Sequence, residues 1–227
     1  MLLRDKKIEF FDEPGKAVPK PLDFSMEDLV NLECLYASHN LIKDVFGISK
    51  LTTLLELNLS FNQIVDIAPL EDLTCLEKLH LNRNKISIID PVLKMTSLQV
   101  LGLFHNEIYN SQATFETLVK LVCEYKLREV SIDGNPITST VRFRNQLIVS
   151  LPKLLVLDEE KVRPLDREVA EKYFEVHNIP KPVLPSKKIE QPKVQEEKVQ
   201  VEETKAKEAK PSKKVKFDID DDHEGDW

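Results

Sequence analysis

The residue types that most often carry out chemistry are too widely spaced in this sequence to form a recognisable catalytic or metal site. No Cys-x-x-Cys pair occurs and no two histidines are close in sequence, which excludes a zinc ribbon and a zincin helix. The glycines are never closer than 32 residues, which excludes a phosphate-binding loop. His80 and His105 are best explained as surface residues. We predict a protein without catalytic residues, metal or cofactor.

Composition and charge narrow the class of protein further. The chain has 227 residues, of which 41% are hydrophobic, and a formal charge of -7, so it can bury a core, and nucleic acid is not an expected partner. No apolar run approaches the roughly 18 residues of a membrane span, and residues 1–11 lack the apolar core of a signal peptide. Cys34, Cys75 and Cys123 are odd in number and far apart, which favours reduced thiols. We expect a soluble, cytoplasmic protein that binds no membrane.

A 22-residue repeat dominates the chain. Two columns of identical residues follow this interval: Asn40, Asn62, Asn84 and Asn106, and Leu35, Leu57, Leu79 and Leu101. The shared pattern is L-x-x-L-x-[LA]-x-x-N, and it recurs after a seven-residue insertion with Val130, Ile132 and Asn135. Alternating apolar residues predict a short strand, and Asn predicts a turn in which its amide bonds the backbone of neighbouring coils. One coil is too small to bury a core alone, so the repeats must stack.

This pattern resembles a leucine-rich repeat. The segments L-I-K-D-V-F-G-I, Q-I-V-D-I-A-P-L and K-I-S-I-I-D-P-V-L, which follow the first three asparagines, are similar to the subclass found in a regulatory subunit of protein phosphatase 1 and in many axonemal proteins. Residues 135–158 are similar to the C-terminal cap of that family. The resemblance implies an α/β solenoid with short parallel strands on its concave face, a helical or irregular convex side, C-terminal cap helices and a disordered tail.

The resemblance and the composition divide the chain into four parts. Residues 1–28 are an N-terminal segment or cap, residues 29–135 contain the repeats, residues 136–180 form the C-terminal cap and helix, and residues 181–227 are a disordered charged tail. A short helix is predicted over residues 23–30, with Ser25 as its N-cap.

Three further helices are predicted from apolar residues at helical spacing. The first occupies the insertion before the fifth repeat on the convex side, the second follows Asn135, and the third packs over the open end of the stack and ends before Pro180. The three apolar sets are Phe115, Leu118, Val119 and Val122; Phe143, Leu147, Ile148 and Leu151; and Leu165, Val169, Ala170, Tyr173 and Phe174.

Side chains between the consensus leucines of each strand point to the concave face, which is the extended binding surface of a solenoid. A mixture of aromatic, cationic and polar residues there has the character of a protein-binding patch. The candidate residues are Tyr36, Glu56, Asn58, Lys78, His80, Arg83 and Phe104. The alternative is that Phe104 fills the edge of the core, that the polar residues are ordinary solvated surface, and that loops or the tail bind the partner.

The tail contains a second candidate site. Lys214, Val215 and Phe217, followed by an acidic block, are similar to the RVxF docking peptide of proteins that bind protein phosphatase 1. In an extended strand Val215 and Phe217 lie on one face, so both can enter apolar pockets while the backbone pairs with a sheet edge. The alternative is a solvated tail in which the two residues occur by chance.

The sequence leaves two functions open. The first is a non-catalytic scaffold or adaptor that binds another protein through its concave face. The resemblance implies an axonemal or microtubule-associated partner and a ciliary or cytoskeletal setting. The alternative is a regulatory or targeting subunit of protein phosphatase 1 that docks through the tail motif.

Overall fold

The strands form one sheet in the order of the sequence. The computed structural model describes residues 1–9, 11, 26–109, 112–139 and 141–180, all within a unit that spans Met1–Ser186. In this part of the chain seven strands lie side by side: β1 (Cys34–Tyr36), β2 (Glu56–Asn58), β3 (Lys78–His80), β4 (Val100–Gly102), β5 (Glu129–Ser131), β6 (Val156–Leu157) and β7 (Glu160–Lys161). The predicted Ser25 N-cap, the tail and its docking residues Lys214, Val215 and Phe217 lie outside the described residues.

The pairing of the strands follows the period of the sequence. Strands β1 to β6 are parallel, and β7 turns back antiparallel to β6. One buried column crosses the sheet and consists of Leu35, Leu57, Leu79, Leu101, Val130 and Leu157. The predicted α/β solenoid of parallel strands is therefore confirmed.

The return path of each coil is short and mostly 3-10 helical. Turns of this type span Phe46–Lys50, Ala68–Leu70 and Asp90–Lys94. The carboxylates of Asp44 and Asp66 start the first two by accepting hydrogen bonds of 2.8 Å from the backbone N–H groups of Phe46 and Ala68.

The seven-residue insertion makes room for a full α-helix in the fourth coil. This helix, α1 (Gln112–Cys123), buries the four residues predicted to form its apolar face, Phe115, Leu118, Val119 and Val122. Its Thr117 hydroxyl donates to the Asp90 carboxylate at 2.8 Å, which links the helix to the preceding coil.

The N-terminal segment takes the place of a preceding repeat. Leu2 pairs in parallel with Tyr36, and the N–H of Leu3 donates to the carbonyl of Tyr36 at 2.7 Å. Leu3 and Ile8 are buried although the segment lacks the repeat pattern. The helix predicted over residues 23–30 is represented in the described residues by a single 3-10 turn, Met26–Leu29.

The C-terminal cap contains two packed helices, α2 (Val141–Ser150) and α3 (Pro164–Val176). The predicted buried set of α2 and the residue after it is confirmed, since Phe143, Leu147, Ile148 and Leu151 are all buried.

The predicted apolar face of α3 is wrong in two positions. Ala170 and Phe174 are buried, but Leu165 and Val169 are 60% and 58% exposed. The reason is Arg167, whose guanidinium donates to the carbonyls of Ile148, Leu151 and Leu154 at 2.7, 3.1 and 2.8 Å. The helix therefore turns Arg167, Ala170 and Phe174 towards the body, and Leu165 and Val169 towards solvent.

A ladder of buried asparagines joins the coils. The side chain of Asn84 donates to the carbonyls of Leu59 and Leu81 at 3.1 and 2.9 Å and accepts from the N–H of Ile64 at 3.0 Å. Asn62, Asn106 and Asn135 make equivalent bonds to the coil that precedes each of them. Each amide therefore satisfies backbone groups of two successive coils.

We predict that Asn84→Ala lowers the free energy of unfolding by about 1 to 3 kcal/mol, because buried backbone groups lose their partners. The measurement is urea denaturation followed by circular dichroism. The control is Asn145→Ala on α2, which should change the free energy by no more than about 0.5 kcal/mol. An unchanged midpoint for Asn84→Ala would contradict the ladder.

We also predict that Arg167→Met lowers the free energy of unfolding by about 1 to 3 kcal/mol, because three carbonyls in the last turn of α2 and the segment after it lose their donor while the aliphatic stem is kept. Arg163→Met is the matched control, since it removes only an exposed ion pair with Asp166. Equal effects of the two substitutions in the same denaturation assay would disprove this role of Arg167.

Candidate functional site

The strand register places the predicted residues in columns that run across the concave face. One column contains Cys34, Glu56, Lys78, Val100 and Glu129, and the next contains Tyr36, Asn58, His80, Gly102 and Ser131. Arg83 and Phe104 follow the ends of β3 and β4. All seven predicted residues therefore lie on the strands of this face or just beyond their ends.

Three of them form a polar group at the N-terminal end of the sheet. The Lys78 ammonium lies 3.5 Å from the Glu56 carboxylate. A side-chain hydrogen bond from Tyr36 to Glu56, together with burial and the charge of Glu56, raises the pKa of Tyr36. The phenol therefore remains protonated at neutral pH and acts as a hydrogen-bond donor. This arrangement suits recognition and does not activate a nucleophile.

Arg83 and Phe104 belong to a second group, which we call the ring stack. The guanidinium carbon of Arg83 is 5.3 Å from the ring centroid of Phe61 and 5.7 Å from that of Phe104. His39 stacks on Phe61 at 4.1 Å, and His105 meets Phe104 edge-on at 4.2 Å. The repeat pattern predicts Arg83 and Phe104 as binding residues but does not single out His39, Phe61 or His105, which complete the ring stack.

The ring stack exists because of an unusual backbone conformation. His39, Phe61, Arg83 and His105 each precede a ladder asparagine and have φ angles between 52° and 60°. This left-handed conformation costs roughly 1 to 2 kcal/mol for a residue with a side chain. It is held by inter-coil bonds such as the one from Phe61 N–H to the Asn82 carbonyl at 2.8 Å.

The sequence contained a signal for this column. In the fifth repeat the same position is Gly134, with a φ of 75°, and glycine is the usual residue in a left-handed conformation. The His105 ring lies directly over it, since a Cβ at Gly134 would be 2.7 Å from His105 Nδ1.

His80 is the last residue of β3 and lines a hollow beside Gly102. The hollow has a volume of about 170 Å³, and Asn82, Glu129 and Ser131 also line it. Burial lowers the pKa of His80, and the charge of Lys78 lowers it further, while Glu56 and Glu129 oppose the shift. The imidazole is therefore neutral at neutral pH.

The described part of the chain lacks the features of a metal site and of a membrane-spanning segment. It contains no group of three or more His, Cys, Asp or Glu residues arranged to hold a metal ion. None of its helices has the length and apolar character needed to cross a membrane.

Comparison with known proteins identifies the family. The sequence profile described as Leucine-rich repeat matches residues 49–183, which is more than half of the chain. The chain belongs to the leucine-rich-repeat family. Leucine-rich-repeat proteins are stacked arrays whose concave surfaces bind other proteins.

Several solved structures resemble this leucine-rich-repeat protein. Internalin C2 of Listeria monocytogenes is 28% identical over 57% of this chain and 52% of its own, with a TM-score of 0.48. A chain from the SNF/U2A′ complex of Drosophila melanogaster is 25% identical over 62% of this chain and 79% of its own, with a TM-score of 0.47. The protein thus spans about half the length of the internalin. No curated protein matches the sequence.

We predict that His80 titrates below its ordinary value of 6.5 in an NMR titration of the imidazole. Glu56→Gln should lower the midpoint further, because it removes a negative charge that favours the imidazolium, and Lys78→Gln should raise it. Because the unfolded chain binds this proton more tightly, the contribution of His80 to stability falls as the pH is lowered through 6.5. A midpoint at or above 6.5 would contradict the burial of this ring.

Proposed function

We propose that this leucine-rich-repeat protein is a non-catalytic scaffold or adaptor that binds another protein through its concave face. The observation that carries the proposal is the ring stack, in which an Arg83 guanidinium lies between the rings of Phe61 and Phe104. Phe61 is 42% exposed, so its ring still has apolar surface to bury. Aromatic and arginine side chains are the types that most often dominate protein interfaces.

The way these side chains are held also supports binding. Each lies on or next to a strand whose central leucine is fully buried and whose turn is fixed by a ladder asparagine. Side chains that are already ordered lose less conformational entropy when a partner binds. The concave face therefore offers a preorganised surface.

The setting that we propose is the cytoplasm, within a ciliary or other cytoskeletal assembly. Its support is the similarity of the 22-residue segments after Asn40, Asn62 and Asn84 to those of axonemal leucine-rich-repeat proteins. The partner class is accordingly an axonemal or microtubule-associated protein.

The alternative proposal is a regulatory subunit of protein phosphatase 1, and a specific sequence observation favours it. Lys214, Val215 and Phe217 match the RVxF docking pattern and precede an acidic block. Val215 and Phe217 would each contribute roughly 1.5 to 3 kcal/mol of apolar burial in a short motif. This hypothesis assigns the main contact to the tail and leaves the concave face free.

Quantitative co-precipitation with the full chain tests the scaffold function. We expect replacement of Tyr36, His80 and Phe104 by Glu to reduce partner recovery by about 30-fold or more, the effect of losing one hot spot. Arg83→Glu is a milder variant with the same expected direction. The control is Leu165→Glu with Val169→Glu and Val176→Glu, which places three negative charges on exposed apolar residues of α3. Circular dichroism verifies that each variant is folded.

The tail variant Val215→Ala with Phe217→Ala separates the two hypotheses. The scaffold hypothesis predicts unchanged partner recovery for this variant, and the alternative predicts loss of binding to the purified catalytic subunit of protein phosphatase 1. Full binding by both the concave-face and the tail variants would contradict both hypotheses and direct attention to the convex insertion, residues 111–125.

A further inference from the structure

We infer that the hollow beside Gly102 receives an arginine side chain of the protein partner. The inference rests on the proposed function, because it names the chemistry that the partner must bring to the concave face. Nothing in the repeat pattern or in the family assignment requires such a hollow.

The hollow lies beside Gly102, the residue of this column that has no side chain and whose Cβ position is taken up by the Asn82 amide. Tyr36, Asn58, His80 and Ser131 occupy the positions equivalent to Gly102 on the other repeat strands. The hollow has a volume of about 170 Å³. Since about 10 to 15 Å³ of such space can hold one water molecule, the hollow has room for a larger group such as the end of a side chain.

The Asn82 amide packs against Gly102 and forms one wall of the hollow. A Cβ at Gly102 would lie 2.8 Å from Asn82 Oδ1 and 3.1 Å from Asn82 Nδ2. The same Oδ1 atom accepts a hydrogen bond of 2.9 Å from the N–H of Phe104. A larger residue at position 102 would therefore displace the amide that fixes the backbone of Phe104 beneath the ring stack. The packing of Asn82 therefore requires glycine at position 102.

The charge of the hollow selects a cation. Glu129 and Glu159 both line it, and neither forms an ion pair with any residue in the described part of the chain. No lysine or arginine is among the lining residues. His80 does not supply the missing charge, because its burial keeps it neutral. An incoming cation would thus meet two carboxylates without displacing an existing partner.

The turn that carries Glu159 has a left-handed backbone conformation, which is unfavourable for a residue with a side chain. Asp158 and Glu159 form the two-residue turn between β6 and β7, with φ angles of 52° and 66°. Such turns favour glycine at the second position. Glutamate there adds a negative charge at the edge of the hollow.

The shape and lining of the hollow favour arginine over lysine. Val100 and Val156 give it apolar sides against which an aliphatic stem can pack. A guanidinium has five N–H donors in a plane and a flat face that can stack on a ring, so it suits a hollow lined by carboxylates, the Ser131 hydroxyl and the His80 imidazole. An ammonium is more strongly hydrated and has no flat face. Residues 181–227 of this chain contain lysines but no arginine, so they do not supply the arginine that we infer.

The test is an NMR titration of the isotopically labelled full chain with three small probes: the N-acetyl N′-methylamides of arginine, citrulline and lysine. Citrulline keeps the shape of arginine without its charge. We expect saturable shifts of the Gly102 and Ser131 amide signals with the arginine probe, and about tenfold weaker binding of the citrulline probe, as for loss of a charge-assisted hydrogen bond.

A charge-neutralised variant gives the second measurement. Glu129→Gln with Glu159→Gln should weaken the arginine probe by about tenfold, and both residues are exposed, so the fold should be unaffected. The matched control is Glu124→Gln with Glu168→Gln, two exposed glutamates outside the hollow, which should leave binding unchanged.

Three results would overturn the inference. These are the absence of saturable shifts at Gly102 and Ser131, equal binding of arginine and citrulline, and equal or tighter binding of lysine, which would instead point to the lysine-rich tail as occupant. The titration requires no partner. Its failure is therefore distinguishable from failure of the scaffold hypothesis, which the co-precipitation measures.

Discussion

One buried amide in each coil determines where the rest of the structure lies. The ladder asparagine bonds the backbone of its own coil and of the coil before it, so a strand cannot shift relative to its neighbour without breaking these bonds. Asn40 makes the same kind of bonds to Leu3, Lys6 and Ile8, which is how a segment without the repeat pattern becomes the first layer of the stack. The residue before each asparagine is forced into the left-handed conformation by the same turn. The ring stack is therefore a consequence of the ladder.

The parts of the fold that depend on periodic burial could be predicted from the sequence. The leucine column, helix α1 and the apolar face of α2 all follow from spacing alone, because burial of apolar residues repeats with the geometry of the element. The sequence predicts an N-terminal segment or cap over residues 1–28 but not that Leu3 and Ile8 form its buried layer, because tertiary hydrogen bonds hold these residues in place. The rotation of α3 was missed because Arg167 looks like a surface residue until its three carbonyl partners are known.

The candidate site, too, could be predicted from the sequence only in part. Strand register, and with it the column that contains Tyr36, Asn58, His80 and Gly102, follows from the repeat. The contacts between neighbouring columns do not, because they depend on rotamers and on backbone angles at single residues. The repeat pattern does not single out Phe61, yet its left-handed backbone brings its ring against Arg83. The variable positions of the repeat determine the chemistry of the concave face, so the period identifies which residues lie on this face but not what they contact.

The hairpin of β6 and β7 affects how the protein behaves in a crowded solution. An open parallel sheet presents unpaired N–H and C=O groups at its end, and such edges join other chains and aggregate. Here the Asp158 carboxylate ends the asparagine ladder by accepting hydrogen bonds from the N–H groups of Ile132 and Asp133. The two-residue strand β7, with exposed Glu160 and Lys161, then covers the last parallel strand. The edge that the sheet presents to a neighbouring molecule is therefore short and charged, which disfavours end-to-end fibre growth at this end of the sheet.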